Sequence, residues 1–107
     1  MSLTVVVYRE TQCWPQDERF GLINQIRRAT NSVPLNIAEG AGSSSNKEFH
    51  RFVQIALRST YEVMTAVEIA LGLEYLSEER AGELLLETDE IAAMLVGLMK
   101  SLKQSKQ

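Results

Sequence analysis

Apolar residues recur along this chain at intervals of three and four, the spacing that lines one face of an α-helix. Ile23, Ile26, Thr30, Val33 and Ile37 form the first long seam and predict a helix from about Gln16 to Glu39. Pro34 interrupts it by leaving the Thr30 carbonyl without an amide partner. The seam runs on to Ile37, so the proline predicts a kink, with Asn31 and Ser32 near enough to offer substitute hydrogen bonds. Gly40 and Gly42 then predict its end, through glycine's access to left-handed dihedrals.

A second helix signal opens at Ser45, with Glu48 three residues on as a capping box. It carries two seams. One is Phe49, Phe52, Ala56, Ser59, Val63, Ala66 and Ala70; the other is Val53, Leu57, Thr60, Met64, Val67 and Leu71. Two adjacent seams mean burial over more than half the circumference, so this helix is central to the bundle or shared with another subunit. Its end is predicted near Gly72. Ser77 caps a further helix, with Glu78 and Glu79 at its positive end and Lys100, Lys103 and Lys106 at its negative end. There Ala81, Leu84, Thr88, Ile91, Leu95, Leu98 and Leu102 repeat the spacing, with Leu85, Ala92 and Met99 beside them. The stretch from Leu3 to Cys13 contains a β-branched run that reads as a strand in isolation. Nothing else in the chain could pair with it, so a short helix ending near Trp14-Pro15 is predicted. Short connections make neighbours antiparallel. The predicted fold is all-α, an up-down-up-down four-helix bundle with a shortened first helix and a Pro-kinked second helix.

The 107 residues form a single domain. No stretch reaches the roughly 18 apolar residues of a membrane span, and no signal-peptide layout stands at the start. The lone Cys13 cannot form an internal disulfide, which suits a reducing cytoplasm. The net charge of −3 is unevenly spread: −2 over residues 1–18, +4 over 19–58 and −5 over 59–107. Such segregation marks either a nucleic-acid-facing surface or opposite charges that meet between helices or subunits.

Several constellations bear on chemistry. Lys47, Arg51, Gln54, Arg58 and Tyr61 share one face of the third helix by spacing, and spaced cations of this kind suit phosphate contacts. A solvated helix face has the same look. Arg27, Arg28, Asn36 and Glu39 read as a polar network tying the kinked helix to a neighbour, with arginine–glutamate pairing satisfying the charges. A recognition patch is the alternative. Gly40-Ala41-Gly42 before a capped helix has the flexibility to cradle an anion, but lacks the phosphate-loop lysine and follows a helix. His50 is the only histidine, and the paired Glu-x-x-His motifs of a di-iron bundle are absent, so no metal or cofactor is predicted. No nucleophile–base pair is evident, which argues against an enzyme.

The chain resembles the four helix bundle protein family, also called the 23S ribosomal RNA intervening-sequence proteins. The motifs that carry the resemblance are Trp14-Pro15 with Asp17-Glu18, Gly21-Leu22, Gln25 to Ala29, Ser32 to Gly40, and Lys47-Glu48-Phe49. Ala56-Leu57-Arg58-Ser59 and Leu71-Gly72-Leu73-Glu74-Tyr75 match two later segments. The chain departs at its start, which is shorter than in the family, at Ser43, where an arginine is common, and at Arg58, which replaces a glycine. The resemblance implies a bundle that assembles into a ring, typically a homopentamer, with Arg27, Arg28, Pro34, Asn36, Glu39 and Gly40 in the conserved motif. A related branch, the accessory proteins of diversity-generating retroelements, is basic and binds a reverse transcriptase and nucleic acid. The acidic character of this chain, with a pI near 5.2, weakens transfer of that role. The expected function is a non-enzymatic oligomeric scaffold for RNA or an RNA-handling protein, with a purely structural protein–protein unit as the alternative.

Overall fold

The computed structural model describes residues 2–104, and among them every regular element is helical. Helix α1 spans Leu3–Thr11, α2 Leu22–Ala41, α3 Asn46–Gly72 and α4 Glu78–Gln104, with a single 3₁₀ turn at Gln16–Glu18. Lys106 lies outside the described residues. The bundle is a rod 48 Å long and 24 by 21 Å across. Helix α3 packs along α2 on one side and α4 on the other, while α1 packs against α2 and α4. At nine residues α1 is about 14 Å long, against about 40 Å for α3. It therefore fills the fourth corner of the bundle over only part of the length.

Burial follows the predicted seams. Val53, Thr60 and Val67 from one α3 seam, and Ala56, Ser59, Val63, Ala66 and Ala70 from the other, are all buried. The core divides into two clusters. One gathers α1, Trp14, the start of α2, the end of α3 and the start of α4. The other is built on Val33, Val53, Ala56 and Leu95. Between them along each long helix sits a buried hydroxyl residue: Thr30 on α2, Ser59 and Thr60 on α3, and Thr88 on α4. The threonines donate back to the carbonyls of Ile26, Ala56 and Leu84 at 2.7, 2.9 and 3.0 Å. Ser59 reaches across to Ser32 at 2.8 Å. No buried side-chain nitrogen or oxygen among the described residues lacks a partner, as a low-dielectric interior requires.

Two local outcomes differ from the sequence expectation. First, α2 begins at Leu22, not Gln16. The chain turns through Gln16–Glu18 and passes Gly21, and the Glu18 carboxylate then accepts the Leu22 amide at 3.2 Å. A Cβ at Gly21 would lie 2.8 Å from that carboxylate oxygen, so a side chain there would push the Glu18 carboxylate aside. Second, Gly40 does not end α2. The helix continues to Ala41, and no glycine has a positive φ. Gly40 is buried against α3, where an added Cβ would meet the Phe49 ring at 2.7 Å and Phe52 Cβ at 2.9 Å. Helix α3 ends at Gly72, as its spacing predicts, and the left-handed residue beyond it is Glu74, with φ 63°. Bonds from Tyr75 N to the Ala70 carbonyl and from Glu74 N to the Leu71 carbonyl, 2.9 and 3.0 Å, close the turn as a Schellman motif.

Trp14 and Tyr75 hold the corner at this end of the rod, with ring centres 5.8 Å apart. The Tyr75 hydroxyl donates to the second Glu18 oxygen at 2.7 Å. That bond, followed by the one from the Leu22 amide, holds the Glu18 carboxyl below its ordinary 4.5. The same Glu18 bond raises the Tyr75 hydroxyl above its ordinary 10.0. The lowered Glu18 value contributes stability above its unfolded pKa and loses it as pH falls through the folded value. The raised Tyr75 value contributes below its unfolded pKa and loses it as pH rises through the folded value.

Two outcomes follow from this packing. Thermal melts of wild type and Tyr75→Phe across pH will differ most on a plateau from about pH 5 to pH 9 and converge on both flanks. Equal differences at every pH would show that the Glu18–Tyr75 bond carries none of the effect. Gly40→Ala forces Phe49 and Phe52 to move and will lower unfolding stability by about 1–3 kcal/mol, read as a lower urea midpoint at unchanged slope.

Candidate functional site

The polar residues of α2 separate into two groups by the way the helix turns. Arg27 faces α1. Its Nε donates to Thr11 Oγ1 at 2.9 Å, its Nη2 to the Tyr8 carbonyl at 3.3 Å, and its guanidinium stacks 4.5 Å from the centre of the Tyr8 ring. Asn31, one turn on, donates to the Tyr8 hydroxyl at 2.9 Å. These contacts occupy the last turn of α1, where cations suit the exposed carbonyl ends. Asn36 bonds within its own helix, to the Ser32 carbonyl at 2.8 Å and the Ser32 hydroxyl at 2.9 Å. Ser32 also takes the bond from Ser59. The three residues thus link α2 to α3 just before and after Pro34, which is exposed within an unbroken helix.

Arg28 and Glu39 are exposed, and neither takes a hydrogen bond or ion pair among the described residues. The arginine–glutamate pairing expected of this stretch is not made within the chain. A long charged pair on an open helix face gains little in water, so nothing drives it to close. Arg80 does pair, with Glu10 at 3.1 Å and with Glu83 at 3.6 Å.

Arg28 instead lines an open groove of about 500 Å³ between α2 and α3, with Phe20, Asn24, Gln25, Ser32 and Glu62. A second depression of about 240 Å³ shares Gln25 and Glu62 with it and continues past Arg58, Tyr61, Thr65 and Ile69. Of the predicted cationic face, Lys47, Arg51, Gln54, Arg58 and Tyr61 are all exposed along α3. Arg51 lies 4.6 Å from the centre of the Phe52 ring, which steadies it on the surface. Of that face, Arg58 and Tyr61 line the second depression. Lys47, Arg51 and Gln54 stand nearer the amino-terminal end of the same helix.

Sequence reasoning passed over Phe20, Asn24 and Glu62. Phe20 is 83% exposed and carries only the Arg19 guanidinium, 4.9 Å from its ring centre. The available signal was an arginine–aromatic pair directly before a glycine that breaks the helix. Cys13 is exposed beside Arg9, Glu10 and Arg80. Among the described residues no group of three histidine, cysteine or carboxylate side chains could hold a metal ion. None of the described helices is long and apolar enough to cross a membrane.

Antiparallel helices with apolar seams, a short first member and an exposed cationic face define a four-helix bundle of the α-helical class. The chain belongs to the 23S rRNA-intervening sequence protein family, whose model matches residues 1–97. Among solved structures it is similar to a protein of unknown function from the S23 ribosomal protein family of Bacteroides thetaiotaomicron. The TM-score is 0.82 at 23% identity, over 92% of each chain. That likeness extends the shared fold to nearly the whole molecule. No curated protein matches the sequence.

The two roles within α2 separate by mutation. Arg27→Ala removes two hydrogen bonds and a stacking contact and will destabilise by about 2 kcal/mol, with early amide exchange in α1. Arg27→Lys will recover only part of this, because lysine cannot make the two-point contact. Glu39→Ala will leave the melting temperature of the isolated chain unchanged.

Proposed function

We propose that the chain is a non-enzymatic scaffold that associates with itself and presents the exposed face of α3 to RNA or to an RNA-handling protein. The observation that carries this reading is the line Lys47, Arg51, Gln54, Arg58 and Tyr61. All five are exposed, with Glu62 beside Arg58 and Tyr61 at the far end of the line. Cations spaced by one helical turn match phosphates by charge without reading sequence. The family's name, which refers to sequences intervening in 23S rRNA, makes RNA the first ligand to try.

The net charge of −3 confines attraction to this face, since the acidic residues concentrate on α4 and the end of α3. One such patch is weak. A homo-oligomer, a pentamer by family likeness, repeats it around a ring and raises the avidity of a weak contact. The reading places the assembly in the cytoplasm and assigns it no metal or cofactor.

A second reading, a purely structural protein–protein unit, draws on the outer face of α4. Leu86 and Met94 are 62% and 67% exposed there. A Cβ at Gly82 or Gly97 would meet no neighbouring atom within 4 Å. Glycines cost about 1 kcal/mol each inside a helix relative to alanine, and this chain makes no close contact over them in return.

The test is binding of a labelled RNA across a salt series. Wild type will bind at low salt and weaken as salt rises. The charge reversal Lys47→Glu/Arg51→Glu/Arg58→Glu will lose binding while keeping its melting temperature and oligomeric mass. No binding by the wild type at low salt ends the RNA reading. A native mass of one chain ends the scaffold reading.

A further inference from the structure

We propose that the α2–α3 groove holds a short single-stranded stretch of RNA, stacking its bases and reading their edges. This rests on the nucleic-acid reading above and adds the form of the ligand and a second set of residues.

The groove combines the three chemistries that unpaired nucleotides need. Flat faces come first. Phe20 at one end is 83% exposed and Tyr61 along the second depression is 48% exposed. A phenylalanine this open gains nothing from the fold. Among the described residues its ring carries the Arg19 guanidinium, 4.9 Å from its centre. Aromatic and guanidinium faces together form the platform on which bases stack regardless of sequence. Cations come second. Arg28 stands on the α2 wall of the groove and Arg58 on α3 in the adjoining depression, and Arg28 has no partner among the described residues. Edge-reading groups come third. The amides of Asn24 and Gln25 and the carboxylate of Glu62 line the same cavity, and Gln25 and Glu62 are common to both depressions.

Glu62 decides between ligands. A carboxylate opposes a phosphate, so a groove built only for backbone charge would not carry one. It accepts a hydrogen bond from an exocyclic amino group, as acidic side chains do from cytosine N4. Uracil has a carbonyl at that position, which repels the carboxylate, and only its N3–H is left to donate. Paired bases show neither their faces nor their pairing edges, and sequence-specific recognition of RNA falls on unpaired segments for that reason. The lining on α3 runs from Arg58 to Ile69, roughly 16 Å of helix, which suits a few nucleotides in a row.

The experiment is fluorescence anisotropy at low salt with three labelled probes: a twelve-nucleotide oligocytidine, a twelve-nucleotide oligouridine and a mixed-sequence twelve-base-pair RNA duplex. The expected result is oligocytidine bound at least tenfold tighter than either of the others. Phe20→Ala, at an exposed position that folding does not use, will weaken oligocytidine by about tenfold and leave the duplex unchanged. Glu62→Gln will bring oligocytidine and oligouridine together. Arg28→Ala will weaken both strands and flatten their salt dependence.

Equal binding of strand and duplex, unaffected by Phe20→Ala but lost in the α3 charge-reversal variant, overturns the groove and leaves the charged-face reading standing. No binding of any probe ends both. Cytidine monophosphate competing as well as the oligonucleotide overturns the strand as ligand. A Phe20→Ala protein of lower native mass and unchanged RNA affinity assigns the groove to a subunit contact and also overturns it.

Discussion

Burial of α3 on two sides at once is the constraint that the rest of the molecule answers to. A helix packed against two antiparallel neighbours needs small side chains where the axes come near. Ala56, Ser59, Ala66 and Ala70 supply them along its length. At the end of the rod the burden passes to α2, where Gly40 lets the two Phe residues of the first α3 turns lie against its backbone. Close approach leaves no room for unpaired polar atoms, and each buried hydroxyl is accordingly bonded within its own turn or to a serine across the gap. Pro34 is tolerated because it sits on the face of α2 turned away from this packing.

Most of the architecture was legible because burial and spacing coincide. The seams of α3 and α4, the serine caps and the Trp14–Pro15 break are all local patterns. What was not legible depends on partners far along the chain. The start of α2 at Leu22 requires the Glu18 carboxylate to be held by Tyr75, 57 residues away. No window of sequence contains both. Arg27 finds a backbone carbonyl and a threonine on α1, and a carbonyl leaves no mark in a sequence. Gly40 looked like a helix terminator because glycine has two uses, conformational freedom and small size. Only the neighbouring helix reveals which one applies.

The candidate site was half visible. The cationic line on α3 could be read from spacing, because every residue on it lies on one helix. The groove could not, because its walls come from two helices and its aromatic end from the turn before α2. Arg28 illustrates the difficulty. Its neighbour in sequence, Arg27, is tied down by α1, while Arg28, rotated by 100°, looks across open space at Glu62 and Ser59 on the far wall. Two adjacent arginines therefore serve separate ends, one holding the fold and the other available to a ligand.

The layer of buried hydroxyls has a consequence for how the rod comes apart. Thr30, Thr60 and Thr88 interrupt the apolar core, and the two core clusters share little beyond Ile91. The half containing Trp14 and α1 is a four-cornered core, and the other half is a three-cornered one. Such a molecule has a seam at which cooperativity weakens, and its two halves behave as separate foldons. The half at the Pro34 end, with fewer buried apolar residues, is the one that local opening favours.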